Sequence, residues 1–453
     1  MSNYKLTFKL KQHTPIIHFQ HDQHGATLRA SELKPKLDKF LIKKLGLIKK
    51  NEKGEDVPID KYKTWFNNKE KLSLDYKVKM LATDEPEKYL IASLLKREYK
   101  EELGRNNVNY LHSMPYFAQE SEINLLFEKV DTGRTNRRGV KIFDYNFIRK
   151  NLEKISKWGL MHTELISFTI ISFKSDLLKG IKEHIYSFFA NENFGTRQSK
   201  GFGCFSIISP TSPKAYEDLL KENFKYVYSY NSQISDLQEK LGQIAKDYKL
   251  LKSGRGQREG GYAKSQLFLY FVTRSNPIRW EKRKIKINIS ANPFKNKQRD
   301  ESYQVIELLA EPSNSAIYDK NGNQSWIDPN KFDYAYIRAV LGLAEQFEFQ
   351  TTLGNFRYVV QVESKNDIDR FRSPIQFKIN DNKVYLAAND IDTKILSKNF
   401  TFKIRLKRSK DIIDKPFFKR DFNIDTPDDF SIENFLEFAL NTGTEKINNY
   451  TKV

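Results

Sequence analysis

The stretch NFGTRQSKGFG, residues 193–203, constrains the fold more than any other part of this sequence, because it packs three glycines between an apolar helix and an apolar strand. The segment before it, DLLKGIKEHIYSFFA (176–190), has apolar residues at helical spacing, and CFSIIS (204–209) after it has a strand-like composition. Glycines allow backbone conformations that side chains obstruct. The sequence therefore predicts a helix, a tight glycine loop (residues 193–203) and a strand.

The chain carries a large surplus of positive charge. Its 453 residues include 77 Lys and Arg against 57 Asp and Glu, which gives a formal net charge of +20. Such a surplus favours polyanionic partners. A hydrophobic fraction of 39%, with 33 Phe and 23 Tyr, is enough for folded cores and excludes a disordered basic tail. The length favours two or three domains.

Two features of the sequence bear on where the protein is found. No stretch approaches the roughly 18 uninterrupted apolar residues of a membrane span, and the N-terminal MSNYKLTFKLKQ alternates where a secretory signal has an apolar block. We therefore expect a cytoplasmic protein without membrane contact. The single cysteine, Cys204, excludes an internal disulfide and a cysteine-based zinc cluster, and its place at the start of a strand favours a small buried side chain over a nucleophile.

The N-terminal half begins with a strand, a loop and a helix. Residues 4–10, YKLTFKL, alternate as a strand with one buried face does, and ASELKPKLDKFLIKKL (30–45) has helical apolar spacing with Ser31 as its expected N-cap. Residues 46–110 are charged and weakly patterned, which indicates an insertion. Further strands are predicted at 123–130 and 163–173.

The second half alternates strands and helices in the same way with different sequences. A connecting helix is predicted in ISDLQEKLGQIAKDYKLL (234–251), and SGRGQREGG (253–261) is typical of a flexible basic hinge. Beyond the hinge, the predicted elements are strands at 284–290, 374–379 and 400–407 and helices at 334–347 and 433–440.

The fold class predicted from these patterns is α+β, with two ferredoxin-like, RRM-like domains that carry insertions and have helices on one face of each sheet. The first domain is expected at residues 1–210 and contains the insertion around 46–110 and the glycine loop. A helical connector with the basic hinge follows at 211–260, and the second domain occupies 261–453.

The composition of the glycine loop favours contact with a sugar-phosphate backbone. Backbone N–H groups near Gly195, Gly201 and Gly203 can form a concave site for phosphate oxygens, while Arg197 and Lys200 add charge and Gln198 adds a donor. A nucleoside-triphosphate loop is disfavoured, because the G-x-x-x-x-G-K-[ST] spacing is absent and these glycines follow a helix. The alternative is a tight connection that needs positive φ angles, with basic side chains that are only solvated.

Other basic segments are further candidates for RNA contact. The segment TGRTNRRGV (132–140) is compatible with a hairpin that binds phosphates or inserts between bases, and equally with an exposed turn. The segment RGQREGGYAK (255–264) is compatible with stacking of Tyr262 on a base, and also with a linker. Isolated arginines elsewhere are either phosphate contacts or members of surface salt bridges. The candidate residues outside the glycine loop are Arg29, Arg134, Arg137, Arg138, Arg255, Arg258, Arg370 and Arg372.

A family resemblance follows from these motifs. The pattern G-x-R-x-x-K-G-x-G-x-F resembles the glycine-rich signature of the RAMP superfamily, the ferredoxin-like RNA-binding subunits of CRISPR effector complexes. The segment TPIIHFQHDQHGATLRASELKPKL (14–37) resembles the start of many RAMP proteins. RFRSPIQFKI (370–379) and YIRAVLGLAEQ (336–346) are similar to second-domain features of the large two-domain RAMP subunit of Cmr, or type III-B, complexes. The resemblance departs from that pattern at 46–110 and around 213–330.

The resemblance implies a non-catalytic subunit that holds the 3′ part of a guide RNA and helps to capture target RNA in antiviral defence. Its partners would be guide RNA, target RNA and the other Cmr RAMP subunits, and cleavage would belong to the backbone subunits of the complex. We expect no cofactor and no bound metal. A standalone RNA-binding scaffold is a further alternative.

A cluster of histidines supports an enzymatic alternative. His13, His18, His21 and His24 lie within twelve residues, and some RAMP proteins are metal-independent endoribonucleases that mature guide RNA with a histidine as general base on a ribose 2′-hydroxyl. The same spacing is compatible with a metal site, although only Asp22 offers a further ligand nearby. A solvated loop or an RNA contact is the third interpretation.

Overall fold

The computed structural model divides into two compact units. The first comprises Met1–Ala245, Gln376–Ala387 and Thr451–Val453, and the second comprises Lys246–Ile375 and Ala388–Tyr450. The structure describes residues 4–18, 27–92, 97–112, 120–137, 139, 141–155, 158–208, 214–256, 262–290, 316–318, 324–326, 333–344, 346–350, 356–365, 368, 371–408, 419–441, 447 and 449–453.

Helices and short strands alternate along both units, in agreement with the predicted α+β class. The strands are β1 (Lys5–Gln12), β2 (Ile16–His18), β3 (Ile48–Lys50), β4 (Asp56–Pro58), β5 (Phe66–Asn68), β6 (Ser73–Leu74), β7 (Lys77–Leu81), β8 (Glu87–Ala92), β9 (Tyr110–His112), β10 (Phe127–Thr135), β11 (Lys141–Phe147), β12 (Trp158–Met161), β13 (Ile166–Ile171), β14 (Phe205–Ile208), β15 (Tyr226–Asn231), β16 (Arg255–Gly256), β17 (Tyr262–Ala263), β18 (Ile278–Trp280), β19 (Ala316–Tyr318), β20 (Gln324–Trp326), β21 (Asp333–Ala335), β22 (Gln346–Gln350), β23 (Phe356–Ser364), β24 (Ile375–Asn380), β25 (Lys383–Ala388), β26 (Asn399–Arg408), β27 (Lys419–Asp425) and β28 (Thr451–Lys452). The α-helices are α1 (Ala30–Leu45), α2 (Arg97–Arg105), α3 (Glu120–Leu125), α4 (Ser175–Asn191), α5 (Tyr216–Lys221), α6 (Leu237–Lys252), α7 (Gln266–Val272), α8 (Glu281–Ser290) and α9 (Ile432–Asn441). Short 3₁₀-helices are described at Asp60–Trp65, Arg149–Lys154, Ile337–Leu341 and Thr393–Ile395.

The first unit is organised around a four-stranded sheet in the order β14, β1, β13, β7, in which every neighbouring pair is antiparallel. The alternation predicted for β1 is confirmed, because Lys5 and Lys9 are exposed while Leu10 is fully buried. Helices α1 and α4 contribute the buried stripes that pack with the apolar side chains of this sheet in one core. The opposite face of the sheet is exposed along β1 and β7 and partly exposed along β13, whereas Ser206 of β14 is buried on that side.

Helix α1 confirms the predicted helix but not its predicted N-cap. The residue before the helix is Arg29, and no side chain caps the first turn. Ser31 lies inside that turn, so the expectation that it caps the helix is wrong. The helix ends where Gly46 adopts a left-handed φ of 59° and donates its N–H to the carbonyl of Ile42, as glycine commonly does after a helix.

The segment 46–110, expected as an insertion, contributes strands to four sheets, and β3–β4 and β5–β6 are two-stranded sheets formed within it. β7 is an edge strand of the first sheet, and β8 and β9 belong to a second sheet in the order β2, β12, β8, β9. The strand predicted at 123–130 is wrong in its first part, because Glu120–Leu125 forms α3. Ile123 and Leu126 are both buried three residues apart, which is a helical spacing.

A third sheet joins parts of the first unit that are far apart in sequence. Its order is β24, β25, β15, β28, and the pair β15–β28 is antiparallel. The strand predicted at 374–379 is therefore confirmed as β24. This strand runs beside the glycine loop, since the N–H of Phe377 donates to the carbonyl of Ser199 at 3.2 Å.

The second unit has its own sheet and its own core. The sheet is antiparallel in the order β22, β23, β26, β27, which follows the order of the strands along the chain. Buried side chains of this sheet pack with Ile285 and Ile289 of α8 in one cluster. The strand predicted at 400–407 and the helix predicted at 433–440 are confirmed as β26 and α9.

Two sequence predictions in the second unit are wrong. Residues 284–290 lie in helix α8, where the buried Ile285 and Ile289 are one turn apart and Ile287 is 45% exposed, so the alternation KIKINI is incidental. Residues 334–347 form β21, a 3₁₀-helix and β22, because Gly342 turns the chain with a φ of 105° that a continuous helix excludes.

Across the part of the chain that the structure describes, no helix combines the length and the apolar character needed to cross a membrane.

The helical assignment of α8 can be tested by a matched pair of substitutions. We expect Ile285→Ala to lower the free energy of unfolding by about 2–5 kcal/mol, because it leaves a cavity in the core, and Ile287→Ala to change it by less than about 1 kcal/mol. The measurement is urea unfolding followed by circular dichroism. Equal losses for the two variants would indicate a strand with both residues on its buried face and would contradict the helix.

Candidate nucleic-acid interface

The glycine loop adopts backbone conformations that require its glycines. The φ angles of Gly195, Gly201 and Gly203 are +74°, +80° and +67°. A Cβ placed on Gly203 would lie 1.9 Å from the carbonyl oxygen of Phe194, and one placed on Gly195 would lie 2.6 Å from a side-chain carbon of Ile16. The loop is therefore packed against neighbouring backbone at both positions, and any larger residue would displace it.

Three backbone donors of the glycine loop, those of Gly195, Thr196 and Gly203, are used within the protein. The N–H of Gly195 donates to the carboxylate of Glu32 at 2.7 Å, and that of Gly203 donates to the carbonyl of Pro15 at 3.0 Å. Thr196 donates in the same way to the carbonyl of Ile17 at 3.0 Å. These amides join the loop to α1 and to the segment around β2, so they are not available as a seat for phosphate.

Two buried polar side chains that the sequence analysis missed hold the loop in place. The amide nitrogen of Asn193 donates to the carbonyls of Gln198 at 2.6 Å and Phe377 at 3.0 Å, and its oxygen accepts from the ammonium of Lys378 at 2.9 Å. Lys378 is fully buried and also donates to the carbonyl of Glu192 at 3.0 Å, just beyond the end of α4. The partial negative charge at the C-terminal end of the helix stabilises a cation at this position.

The polar side chains of the loop lie close to its own backbone. Arg197 is only 9% exposed, and Lys200 and Gln198 are half-buried. The side chain of Gln198 donates to the carbonyl of Gly195 at 2.7 Å. Cys204 is buried next to Gly201, and burial raises the pKa of its thiol, which agrees with the predicted role as a small core side chain.

The basic hairpin β10–β11 carries two exposed arginines among the predicted contacts. Its two strands pair antiparallel from Phe127↔Phe147 to Asp131↔Phe143, and within the described residues they form a sheet of their own. At its base the ring of Phe127 stacks on Tyr99 with centroids 3.9 Å apart. Toward the tip, Arg134 and Arg137 are exposed, whereas Arg138 lies outside the described residues.

The remaining predicted contacts are spread over both units. In the first unit, Arg29 is half-buried at the start of α1. In the second unit, Arg255 is half-buried in β16 and Arg372 is exposed before β24. Arg258 and Arg370 lie outside the described residues. The structure thus places the glycine loop, Arg29 and the basic hairpin in one unit, and it does not bring Arg255 or Arg372 into that unit.

Comparison with protein families decides the membership of the chain. A family model described as the Cmr1 N-terminal domain matches residues 3–255, and one described as the Cmr1 C-terminal domain matches residues 262–453. The chain belongs to the Cmr1 family. Membership in the Cmr1 family makes it a RAMP protein and a subunit of the multi-subunit Cmr complexes of type III-B CRISPR systems, which confirms the resemblance noted in the sequence. No curated protein sequence matches the chain.

Of the four clustered histidines in this Cmr1-family chain, the structure describes the side chain of His13 only, and that side chain is not placed for catalysis. The His13 ring is buried, with Nδ1 accepting from the N–H of Asp381 at 3.2 Å and Nε2 lying 2.7 Å from the Ser206 hydroxyl. Burial lowers the pKa of His13 to about 4. The side chain of His18 and the whole of His21 and His24 lie outside the described residues. His13 is therefore placed to connect strands and not to reach a ribose hydroxyl.

No group of three or more metal-ligating side chains is found in the described parts of the chain.

The close packing of the Phe194 backbone on Gly203 predicts a large effect of adding one methyl group at that position. We expect Gly203→Ala to lower the free energy of unfolding by at least about 3 kcal/mol or to abolish soluble yield, because the backbone of Phe194 must move and φ is strained. Gly242→Ala is the control, since Gly242 lies in α6 with open space around it and should gain about 0.5–1 kcal/mol. Native-like thermal and urea unfolding of Gly203→Ala would contradict this packing.

Burial of His13 predicts a defined pH dependence of stability. Because the folded-state pKa is near 4 and an unfolded histidine titrates near 6.5, the unfolded chain binds more protons between these values. This contribution is fully present above pH 6.5 and is lost as the pH falls toward 4. His13→Gln, which does not titrate, should show a shallower decrease of the urea midpoint between pH 6.5 and 5 than the native chain. Parallel curves would show that His13 does not titrate in this way.

Proposed function

We propose that this Cmr1-family chain is a non-catalytic RNA-binding subunit that holds guide RNA and helps to capture target RNA within the Cmr complex in antiviral defence. The observation that carries the proposal is the basic hairpin, which projects exposed arginines from a chain of net charge +20. Phosphate contacts supply most of the affinity of proteins that bind nucleic acid, and they come mainly from such side chains.

The form of the basic hairpin supports a role in contact with a partner. A two-stranded ribbon is marginally stable alone in water, and most residues of β10 beyond Phe127 are exposed. Apolar Val130 and Ile142 are also exposed on the ribbon, next to the cationic tip. Cations with apolar neighbours suit single-stranded RNA, which offers both phosphates and unstacked bases.

The ferredoxin-like fold predicted for the first domain is part of this proposal. In the order β14, β1, β13, β7, helix α1 lies between β1 and β7 in the chain, and α4 connects β13 to β14. Two interleaved β-α-β units of this kind support a ferredoxin-like sheet. The sequential strand order of the second unit offers no such support. The division into residues 1–210, 211–260 and 261–453 stays a prediction.

The RNA contacts predicted in the glycine loop also stay predictions, and they are now restricted to its side chains. Because the amides of Gly195 and Gly203 donate to protein acceptors, the loop would act through side chains, with Lys200 the more exposed of its two cations. The endoribonuclease alternative loses support from the burial of His13. Family membership disfavours a standalone scaffold.

Removal of the exposed arginines should weaken RNA binding without unfolding the protein. For single strands, each lost phosphate contact lowers the salt slope by roughly 0.7, which corresponds to about 5-fold in affinity at 0.1 M salt. Arg134→Ala with Arg137→Ala should therefore bind labelled single-stranded RNA about 10- to 30-fold more weakly in fluorescence anisotropy. Lys179→Ala with Lys182→Ala, on the exposed side of α4, should bind like the native chain.

The same binding reactions, made in the presence of a chelator and resolved on a gel, should contain intact RNA. Undiminished binding by a folded Arg134 and Arg137 double variant would overturn the assignment of the hairpin. A discrete cut that His13→Gln abolishes would establish the enzymatic alternative.

A further inference from the structure

The solvent-exposed face of the first sheet has an unusual charge. Across β1, β7, β13 and β14 the sequence contains five lysines and no acidic residue. The alternation of the strands places these lysines together with hydroxyl and aliphatic side chains on the face opposite α1 and α4. We call this surface the lysine face; it comprises Lys5, Thr7, Lys9, Lys11, Lys77, Lys79, Leu81, Ser167, Thr169, Ile171 and Ile208.

Four of these lysines keep their full charge available to an outside partner. Lys11 forms an ion pair with Asp381 at 2.6 Å. Among the described residues, no ion pair involves Lys5, Lys9, Lys77 or Lys79. The pairing Lys5↔Ile171↔Lys77 places two of these lysines on alternate strands about 10 Å apart. At that distance, salt screens their repulsion only partly.

The sheet of the second unit provides an internal comparison. Its cations are matched by carboxylates on neighbouring strands, as in the pairs Arg357–Glu348 at 3.1 Å, Lys403–Glu363 at 2.5 Å and Arg405–Asp421 at 2.6 Å. This chain therefore neutralises one sheet surface by cross-strand pairs and leaves the other positive. A face that keeps uncompensated like charges is suited to a polyanion.

An aromatic pair lies at one end of the lysine face. Phe173 is 83% exposed and follows two residues after Ile171, which pairs with both Lys5 and Lys77. Its ring lies 5.7 Å from that of Tyr4, which is 49% exposed. Large exposed aromatic rings beside cations are typical of surfaces that stack unpaired bases while holding phosphates.

We propose that the lysine face, together with Phe173 and Tyr4, binds single-stranded RNA. Lysines along β1 and β7 contact phosphates of the RNA. Phe173 stacks on a base at the end of the sheet where the RNA leaves the lysine face. The proposal rests on the proposed function in taking RNA as the ligand, but it places RNA on a surface that is separate from the basic hairpin. A duplex fits less well, because its bases are not available to Phe173.

The test uses the full chain, a labelled oligo(U) probe and fluorescence anisotropy at several salt concentrations. Lys9→Ala with Lys79→Ala should weaken binding about 10- to 30-fold at 0.1 M salt and lower the salt slope by about 1.4. Phe173→Ala should weaken binding about 5- to 150-fold, the range for loss of one stacked base, and leave the salt slope unchanged. Lys179→Ala with Lys182→Ala removes the same charge from the other side of the sheet and should have no effect.

The outcomes separate this proposal from the proposed function. If the native chain binds oligo(U) and only the Arg134 and Arg137 double variant loses affinity, the lysine face is not an RNA surface and the proposed function stands. If the native chain binds no RNA, both fail. If the lysine-face variants bind RNA normally but no longer assemble with other Cmr subunits, the face docks a protein and the proposal is overturned.

Discussion

The close approach of Gly203 to the backbone of Phe194 is the constraint on which the rest of the first unit depends. A backbone hydrogen bond of 2.9 Å joins the N–H of Phe194 to the carbonyl of Gly203, and no Cβ fits at that point. Once the loop is closed in this way, the amides of Gly195, Thr196 and Gly203 donate to α1 and to the segment around β2. The buried Asn193 and Lys378 connect the loop to β24. The loop is thus a junction between the first and third sheets.

The cations at this junction are buried and structural, in contrast to the cations that face solvent. Lys378 and most of Arg197 are buried and belong to the architecture, because each buried polar group needs partners within the protein. Exposed cations include Arg134 and Arg137 of the basic hairpin and Lys5, Lys9, Lys77 and Lys79 of the lysine face. The positive charges behind the net charge of +20 therefore have different roles. The proposed RNA contacts use cations that face solvent, and Lys378 and Arg197 serve the fold.

Much of the first unit was predictable from local pattern. The alternation of β1, the apolar stripe of α4 and the glycines of the loop each depend on residues within one short window, so periodicity and steric limits were sufficient. The failures have a different origin. The alternation of 284–290 was compatible with a strand or a helix, and only packing of Ile285 and Ile289 in the core of the second unit selected the helix. The buried roles of Lys378 and His13 depend on partners about 185 or more residues away along the chain.

The sequence by itself determined the positive character of the chain, its Cmr1-family motifs and the glycine-rich segment between α4 and β14, because these follow from composition and from short local patterns. The tertiary structure decided where the loop amides point and which lysines share a face. Hydrogen-bond partners and cross-strand neighbours come from segments far apart in sequence, and their meeting is set by the register of the sheets and the packing of the core, which no local pattern specifies.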